Sequence, residues 1–220
     1  MEVLSIISQK GGVGKTTLAT CLAVEALNEG KRVAVIDLDP QATATFWSDV
    51  RPDDDPAVLS IQPVRLPSVL KASEQAGTDL VIIDSAAVSK DIAYAAAEAA
   101  DFALVPFKAA VFDINSVAQT VRIIKQVGAP FALVCTFVPP QGNETIEAQE
   151  IINDLGSDFC PVLIGNRKAF FRAQAKGCAV QEQGFDPDGK ATEEIKNLYK
   201  YTCIHLNKYK KDAGDERKLA

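Results

Sequence analysis

Gln9-Lys10-Gly11-Gly12-Val13-Gly14-Lys15-Thr16-Thr17 is a glycine-rich loop that contains two lysines. Its second half matches the end of the phosphate-binding pattern G-x-x-x-x-G-K-[ST], in which backbone amides surround phosphate, the lysine reaches the terminal phosphates and the hydroxyl binds Mg²⁺. Gln9 replaces the leading glycine of that pattern, but Gly11 and Gly12 keep side chains away from the backbone. The loop is therefore expected to bind the phosphates of a nucleotide.

Apolar segments flank this loop in the order that phosphate binding requires. Residues 3–7 form a β-branched run typical of a buried strand, and apolar residues recur at helical spacing over residues 17–27. A helix that begins at the loop adds its partial positive charge to the anion site. A flexible glycine turn without a ligand is the competing interpretation, and the order of strand, loop and helix disfavours it.

Strands alternate with helical segments along the chain, which is typical of a parallel sheet covered on both faces. The expected fold class is α/β, a P-loop NTPase with a mostly parallel, twisted sheet and helices on both faces. The predicted strands are residues 4–7, 32–37, 59–62, 80–84, 102–106, 131–136 and 162–164. The predicted helices are residues 15–29, 43–50, 67–76, 92–99, 114–126, 144–155, 168–175 and 192–206.

Length and composition favour a single domain. A chain of 220 residues with 47% hydrophobic residues can bury one core. We expect this domain to span residues 1–206 and a polar, frayed tail to span 207–220. The five cysteines are scattered and His205 is the only histidine, which excludes a zinc site and indicates buried thiols in a reducing cytosol. No export signal or N-terminal helix-turn-helix domain is apparent, so a cytoplasmic location is expected.

Three aspartates lie at or just beyond the ends of predicted strands. Asp37 ends the second strand, Asp39 follows two residues later, and Asp84 ends the fourth. Ligands of open parallel sheets bind outside the carboxyl ends of the strands, where one carboxylate can hold Mg²⁺ and another can orient an attacking water. A turn cap explains each aspartate taken alone. Together with Lys15 and Thr16 they predict a nucleotide and Mg²⁺ site.

These motifs resemble a known family. Residues 10–17, followed by Val33-Ala34-Val35-Ile36-Asp37-Leu38-Asp39-Pro40-Gln41, are similar to the ParA/MinD family of deviant Walker ATPases, in particular its small plasmid-partition ParA members. The similarity extends from Val3 to about Leu206. It implies binding of ATP, ADP and Mg²⁺, weak ATP hydrolysis and an ATP-bound homodimer. It also implies that Lys10 crosses to the partner's nucleotide, whereas the sequence alone is compatible with a solvated surface lysine.

The resemblance implies roles for individual residues. Asp39 corresponds to the water-positioning residue, Asp37 supports the metal shell and Asp84 is the Walker B aspartate. The chain departs from the family where Ser85-Ala86-Ala87 replaces the frequent small residue-Pro-Pro, which puts the following loop in doubt. The implied catalytic residues are Lys10, Lys15 and Asp39. The implied metal-binding residues are Thr16, Asp37, Asp39 and Asp84.

Two later segments correspond to family positions near the nucleotide. Asp113 follows the strand that ends near Pro106 and would lie beside the nucleotide and the dimer interface, although a helix N-terminal acid explains it equally well. Phe137 and Pro139 lie where relatives pack against adenine, but the usual Asn or Arg signals are missing. The implied nucleotide contacts are Lys10, Gly11, Gly12, Val13, Gly14, Lys15, Thr16, Thr17, Asp37, Asp84, Asp113, Phe137 and Pro139.

Basic charge is concentrated toward the C-terminus. The chain has a net charge of −6, yet residues 165–220 carry 12 Lys and Arg against 8 Asp and Glu, a net charge of +4. Such a surface suits weak, sequence-independent phosphate contacts, while a solvated helix face is the alternative. The resemblance favours nonspecific DNA binding. The candidate DNA-binding residues are Arg167, Lys168, Arg172, Lys196 and Lys200.

Taken with the resemblance, the sequence predicts a nucleoid-associated ATPase that partitions plasmid DNA or a similar cargo. A ParB-like, centromere-binding adaptor would stimulate its hydrolysis. The alternatives are positioning of a protein cargo such as a carboxysome or chemotaxis cluster, a metabolic P-loop enzyme, and a scaffold that binds nucleotide without turnover. Membrane binding is disfavoured, because residues 207–220 contain only Tyr209 and Leu219 as bulky apolar residues.

Overall fold

One parallel sheet forms the centre of the computed structural model, which describes residues 1–87, 89–108, 114–140, 158–182 and 184–219. Within these residues the strands are β1 (Glu2–Ile6), β2 (Val33–Asp37), β3 (Ala57–Ser60), β4 (Leu80–Asp84), β5 (Phe102–Lys108) and β6 (Phe131–Thr136). Their order in the sheet is β3-β2-β4-β1-β5-β6, and every neighbouring pair is parallel. The predicted α/β fold class is confirmed, and β1 delivers the glycine-rich loop to the middle of the sheet.

Helices cover both faces of the sheet. They are α1 (Lys15–Asn28), α2 (Thr43–Asp49), α3 (Leu66–Gln75), α4 (Lys90–Glu98), α5 (Ile114–Val127), α6 (Lys168–Gln174) and α7 (Lys190–Leu219). Alternate strand residues face opposite cores. Leu4 and Ile6 pack with α1, α2, α6 and α7, whereas Val3 and Ile7 pack with α3, α4 and α5. The buried apolar residues thus form two layers, one on each face of the sheet.

Local hydrogen bonds explain two small differences from the predicted element boundaries. Helix α4 begins at Lys90 rather than at residue 92, because the Ser89 hydroxyl accepts a hydrogen bond from Ile92 N at 3.3 Å and caps the first turn. Strand β3 begins two residues earlier than predicted, since residues 57–60 pair with Ala34–Asp37 of β2. Neither change moves a candidate site residue to another element.

The predicted strand over residues 162–164 is wrong. The segment runs beside β6, but it pairs only through isolated bridges, Leu133 with Phe159 and Val138 with Gly165. Pro161 lies between these bridges and lacks the amide donor that a continuous ladder needs. The segment therefore returns toward the glycine-rich loop as irregular backbone.

Helix α7 extends from Lys190 to Leu219, beyond the predicted end at residue 206. Residues 207–219 lack proline and contain four lysines and Arg217, residue types that favour helix, so the expected frayed backbone is not what the structure shows. The assignment of residues 207–220 as a separate polar tail stays a prediction. The predicted helix 144–155 lies outside the described residues. Across the described ranges, no helix is both long and apolar enough to span a bilayer.

Candidate nucleotide-binding site

Two glycines give the phosphate loop its shape. Gly12 and Gly14 have φ angles of 70° and 89°, in the left-handed region that other residues rarely adopt. Gly14 also precedes α1, and its carbonyl accepts the Leu18 amide at 2.9 Å. The first amides of α1 therefore point toward the loop, where they and the helix dipole can bind an anion.

Hydrogen bonds from distant elements fix the loop from both sides. The Thr136 hydroxyl at the end of β6 lies 2.9 Å from the Val13 carbonyl oxygen and 3.0 Å from that of Phe107. On the other side, Gln9 N donates to the Thr120 hydroxyl at 3.1 Å. These contacts hold the loop rigid before any ligand binds, which lowers the entropic cost of binding.

Gln9, which replaces the usual leading glycine, has a structural role in this chain. Its side chain is buried, and Nε2 donates to the Ser89 carbonyl oxygen at 3.0 Å. Ser89 is the N-cap residue of α4, the helix that follows Asp84 in the chain. Gln9 thus connects the phosphate loop to the N-terminus of α4.

Lys15 lies deep in the loop, with 7% of its surface exposed. Its Nζ donates to the Lys10 carbonyl oxygen at 3.1 Å, across the loop. Burial lowers the pKa of the Lys15 ammonium, while the nearby carboxylates of Asp84 and Asp39 partly oppose that shift. Lys10 itself is exposed at the rim of the loop.

Asp84 and Thr16 form the centre of the carboxylate site. The Thr16 hydroxyl donates to Asp84 Oδ2 at 2.6 Å. The other carboxylate oxygen, Oδ1, is buried and has no hydrogen-bond partner. Burial raises the pKa of Asp84 to about 7, the Thr16 hydrogen bond opposes this shift, and the charge of Asp37 adds to it.

Asp37 is the register partner of Asp84 on the neighbouring strand, which explains why the two carboxyls lie close together. Both of its oxygens bind protein donors: Oδ1 accepts Asp39 N at 3.0 Å, and Oδ2 accepts the amides of Ala44 and Thr45 at 3.0 and 3.1 Å. Burial raises the pKa of Asp37, and these hydrogen bonds partly offset the shift. Asp37 thus anchors the start of α2, and its predicted support of the metal shell stays a prediction.

Asp39 lies in the turn after β2. Asp39 Oδ1 accepts a hydrogen bond from the backbone amide of Gln41 at 2.9 Å, and Asp39 is half-buried. The structure therefore brings Asp39, Asp84, Lys15 and Thr16 to one end of the sheet. Asp113 lies outside the described residues.

The oxygen donors fit Mg²⁺. A hydroxyl and a carboxylate are the ligand types that Mg²⁺ prefers, and the orphaned Asp84 Oδ1 is an acceptor without a protein donor. Among the described side chains, no group of three or more His, Cys, Asp or Glu is arranged to hold a metal.

A cavity of about 550 Å³ opens beside Gly14 and Thr17. Its apolar wall could accept a flat ring, and polar groups stand at its border. Phe137 lines this cavity, whereas Pro139 lines an adjoining hollow near Pro140, and their predicted contacts with the base stay predictions. The lining residues that sequence reasoning missed are Leu18, Thr136, Ile164, Gly165, Asn166, Phe170, Phe171 and Gln174.

The signal for this cavity is weak in the sequence. Phe171 is 78% exposed while the adjacent Phe170 is buried, and helical periodicity alone does not distinguish the two. The only local hint is an aromatic pair beside basic residues. The cavity forms because the irregular segment after Pro161 folds back against α1.

The candidate DNA-binding residues occupy different environments. Arg167 forms an ion pair with Glu194, with Nη2 2.6 Å from Oε1, and it lines the cavity. Hydrogen bonding to Glu194 raises the pKa of Arg167. The other candidates are exposed, on α6 and α7: Lys168, Arg172, Lys196 and Lys200. The charge of Arg167 is therefore paired within the protein, and its role in DNA binding stays a prediction.

Comparisons with known proteins agree with this geometry. Residues 4–180 match the family model "CobQ/CobB/MinD/ParA nucleotide binding domain". The chain is 30% identical over 219 residues to a maintenance of carboxysome distribution protein A from Gloeobacter kilaueensis, covering 94% of each chain. It is 28% identical to the chromosome-partitioning ATPase Soj of Thermus thermophilus, over 71% of this chain and 76% of Soj.

A solved structure supports the fold. The septum site-determining protein MinD of Pyrococcus horikoshii, complexed with Mg-ADP, superposes with a TM-score of 0.74 at 17% identity. The match covers 91% of this chain and 95% of that one. With the family model covering most of the chain and the phosphate loop intact, the protein belongs to the CobQ/CobB/MinD/ParA nucleotide-binding family.

Proposed function

We propose that this protein is a Mg²⁺-dependent ATPase that dimerises around ATP and is reset by hydrolysis. The observation that carries the proposal is the Thr16 to Asp84 hydrogen bond of 2.6 Å at the mouth of a preformed phosphate loop. The hydroxyl and the carboxylate are the pair needed to hold Mg²⁺ and its waters against the phosphates. The polar-edged cavity beside Gly14 is large enough for the base.

Each residue then has a definite task. Lys15, which already reaches across the loop, binds the terminal phosphates, and the amides of Gly12 to Thr16 surround them. Mg²⁺ would neutralise charge on the phosphates when bound by Thr16 and Asp84. Asp39, in the turn after β2, orients the attacking water. Phe137 lies where it can pack against the base.

Lys10 makes this activity depend on a second subunit. It is exposed at the rim of the loop, and its backbone carbonyl accepts the Lys15 ammonium at 3.1 Å. In the resembling family this lysine enters the partner's site. The dimer is therefore the form in which the phosphate charge is fully neutralised.

The biological task that we propose is partitioning of plasmid DNA or a similar cargo on nonspecific DNA, with a ParB-like adaptor that stimulates turnover. The exposed cations of α6 and α7 support DNA binding, and the exposed Phe171 lies on α6 together with Lys168 and Arg172. Dimerisation would double this surface and make DNA binding ATP-dependent. The dimer would then associate with the nucleoid.

Positioning of a protein cargo is the second candidate. The Gloeobacter relative, named for carboxysome distribution, is similar over 94% of both chains, which supports a cargo other than DNA. The two candidates share the ATP and DNA chemistry and differ in the adaptor. Their partners therefore distinguish them.

The decisive experiment measures ATP hydrolysis with and without nonspecific DNA, and with candidate adaptors. Stimulation by DNA together with a centromere-binding protein supports partitioning, and stimulation by a protein-cargo adaptor supports the second candidate. Turnover that depends on a small-molecule co-substrate would identify a metabolic enzyme. Nucleotide binding without turnover under every condition would identify a scaffold and overturn the proposal.

A further inference from the structure

Lys108 lies at the phosphate loop without a role in the motifs described above. Strand β5 pairs with β1 only as far as Leu104, opposite Ile6, and it continues to Lys108 alongside the loop. The Lys108 Nζ lies 4.0 Å from the position that a Cβ on Gly12 would occupy. A third lysine thus reaches the glycines that cradle phosphate.

The ring of Phe137 holds this ammonium in place. Nζ lies 4.2 Å from the ring centroid, a distance typical of a cation–π interaction. The same ring also packs against the phosphate loop, since Phe137 Cε2 lies 3.4 Å from the ideal Cβ position of Gly14. Phe137 therefore connects Lys108 to the loop and to the base cavity that it also lines.

The backbone of Phe137 is strained. Its φ angle is 54°, in a region that bulky residues rarely adopt, and 40% of its surface is exposed. Strained positions that the surrounding structure maintains are frequent at ligand sites. The rest of the Phe137 surface is buried, and its neighbours include Lys108 and Gly14.

We propose that Lys108 is a phosphate-binding residue of the nucleotide site, acting in the same subunit as Lys15. The proposal rests on the proposed ATP binding. The flexible stem of Lys108 allows its ammonium to leave the ring and reach a phosphate oxygen beside Gly12. Lys15 and Lys108 then bind one nucleotide from within the subunit, and Lys10 is left for the partner's nucleotide.

The test compares nucleotide affinities of Lys108→Met and Lys108→Arg by calorimetry with Mg-ATP and Mg-ADP. Loss of a charge-assisted phosphate contact weakens binding by about tenfold or more, so we expect this loss in the methionine variant and partial recovery in the arginine variant. Lys71→Met, on the exposed surface of α3, is the matched control.

Thermal unfolding without nucleotide separates binding from a purely structural role. If Lys108 only supports Phe137, the methionine variant unfolds at a lower temperature and keeps the wild-type affinity, which overturns the proposal. If Lys15→Ala abolishes binding while Lys108→Met has wild-type affinity, the proposed function stands and the role of Lys108 is refuted. If the wild-type protein fails to bind ATP, the proposed function itself fails.

Discussion

Thr16 Oγ1 donates a hydrogen bond of 2.6 Å to Asp84 Oδ2, which joins the phosphate loop to the strand beside β1. The bond uses one oxygen of Asp84 and leaves Oδ1 buried without a donor. A buried carboxylate oxygen without a partner is costly, and the cost is relieved when a cation or its water binds. Asp84 Oδ1 is therefore placed to accept a cation or its water.

The pH dependence of the free energy of unfolding tests the burial of the Asp84 carboxyl group. Burial raises the pKa of Asp84 from its ordinary 3.8 to about 7, so between these values the unfolded chain has lost a proton that the folded chain keeps. The contribution of Asp84 to the free energy of unfolding therefore falls as the pH rises from about 4 to about 7.

We expect Asp84→Asn to remove this contribution, so that the variant gains stability relative to wild type as the pH rises through this window. Urea unfolding of the ligand-free protein at several pH values measures the difference. Asp49→Asn, at an exposed position on α2, is the matched control. The prediction would be contradicted if the difference in the free energy of unfolding between wild type and Asp84→Asn did not change with pH.

Lys15→Ala removes the ammonium that the loop encloses. Because the Lys15 ammonium lies buried inside the loop, where the proposed phosphate contact is charge-assisted, we expect ATP affinity to fall on the order of 100-fold. Titration with a fluorescent ATP analogue measures the effect, with Lys71→Ala as control. Wild-type affinity in the Lys15 variant would place the phosphates elsewhere.

Asp39→Ala is expected to separate dimerisation from turnover. The carboxylate that orients water is removed, while Lys10, Lys15 and the base cavity remain, so ATP-dependent dimers accumulate and phosphate release stops. Light scattering and phosphate release measure the two quantities. The alanine also loses the turn contact with Gln41 N, which is worth about 1 kcal/mol, so Asp39→Asn serves as a second variant. Undiminished hydrolysis in both would remove Asp39 from the mechanism.

Thr136→Val tests whether β6 preorganises the phosphate loop. The change keeps the shape of the side chain but removes the hydroxyl that contacts the carbonyls of Val13 and Phe107. We expect a loss of about 1–3 kcal/mol in the free energy of unfolding and weaker ATP binding. Thr136→Ser keeps the hydroxyl and is the control. A valine variant as stable as wild type would show that the loop does not depend on β6.

Local features of the sequence predicted most of the fold and the centre of the site. The alternation of strands, the glycines of the loop and the aspartates at strand ends depend on nearby residues, so pattern reasoning detected them. Contacts between distant segments carried no such signal. Thr136 at Val13, Lys108 at Gly12 and the segment 164–174 against Thr17 arise only when the chain returns to the loop.

Asp37 and Arg167 show a second limit. Residue type and position predict a metal-shell carboxylate at Asp37 and a DNA contact at Arg167, and both roles stay predictions. The structure adds that Asp37 accepts the amides at the start of α2 and that Arg167 pairs with Glu194. A charged side chain has the same signature in sequence whether its partner is a ligand or another protein group. Only the three-dimensional neighbours distinguish the two.

DNA binding is expected to depend on Arg172 and Lys200 more than on Arg167. The first two are exposed on α6 and α7, whereas the charge of Arg167 is already neutralised by Glu194. Each phosphate contact contributes about one unit to the slope of log affinity against log salt. Charge reversal to Glu at Arg172 or Lys200 should therefore reduce that slope and weaken ATP-dependent DNA retention, without changing ATP turnover in the absence of DNA. Lys71→Glu is the control, and an Arg167→Ala variant that lost DNA retention while both reversals kept it would place the DNA surface around Arg167 instead.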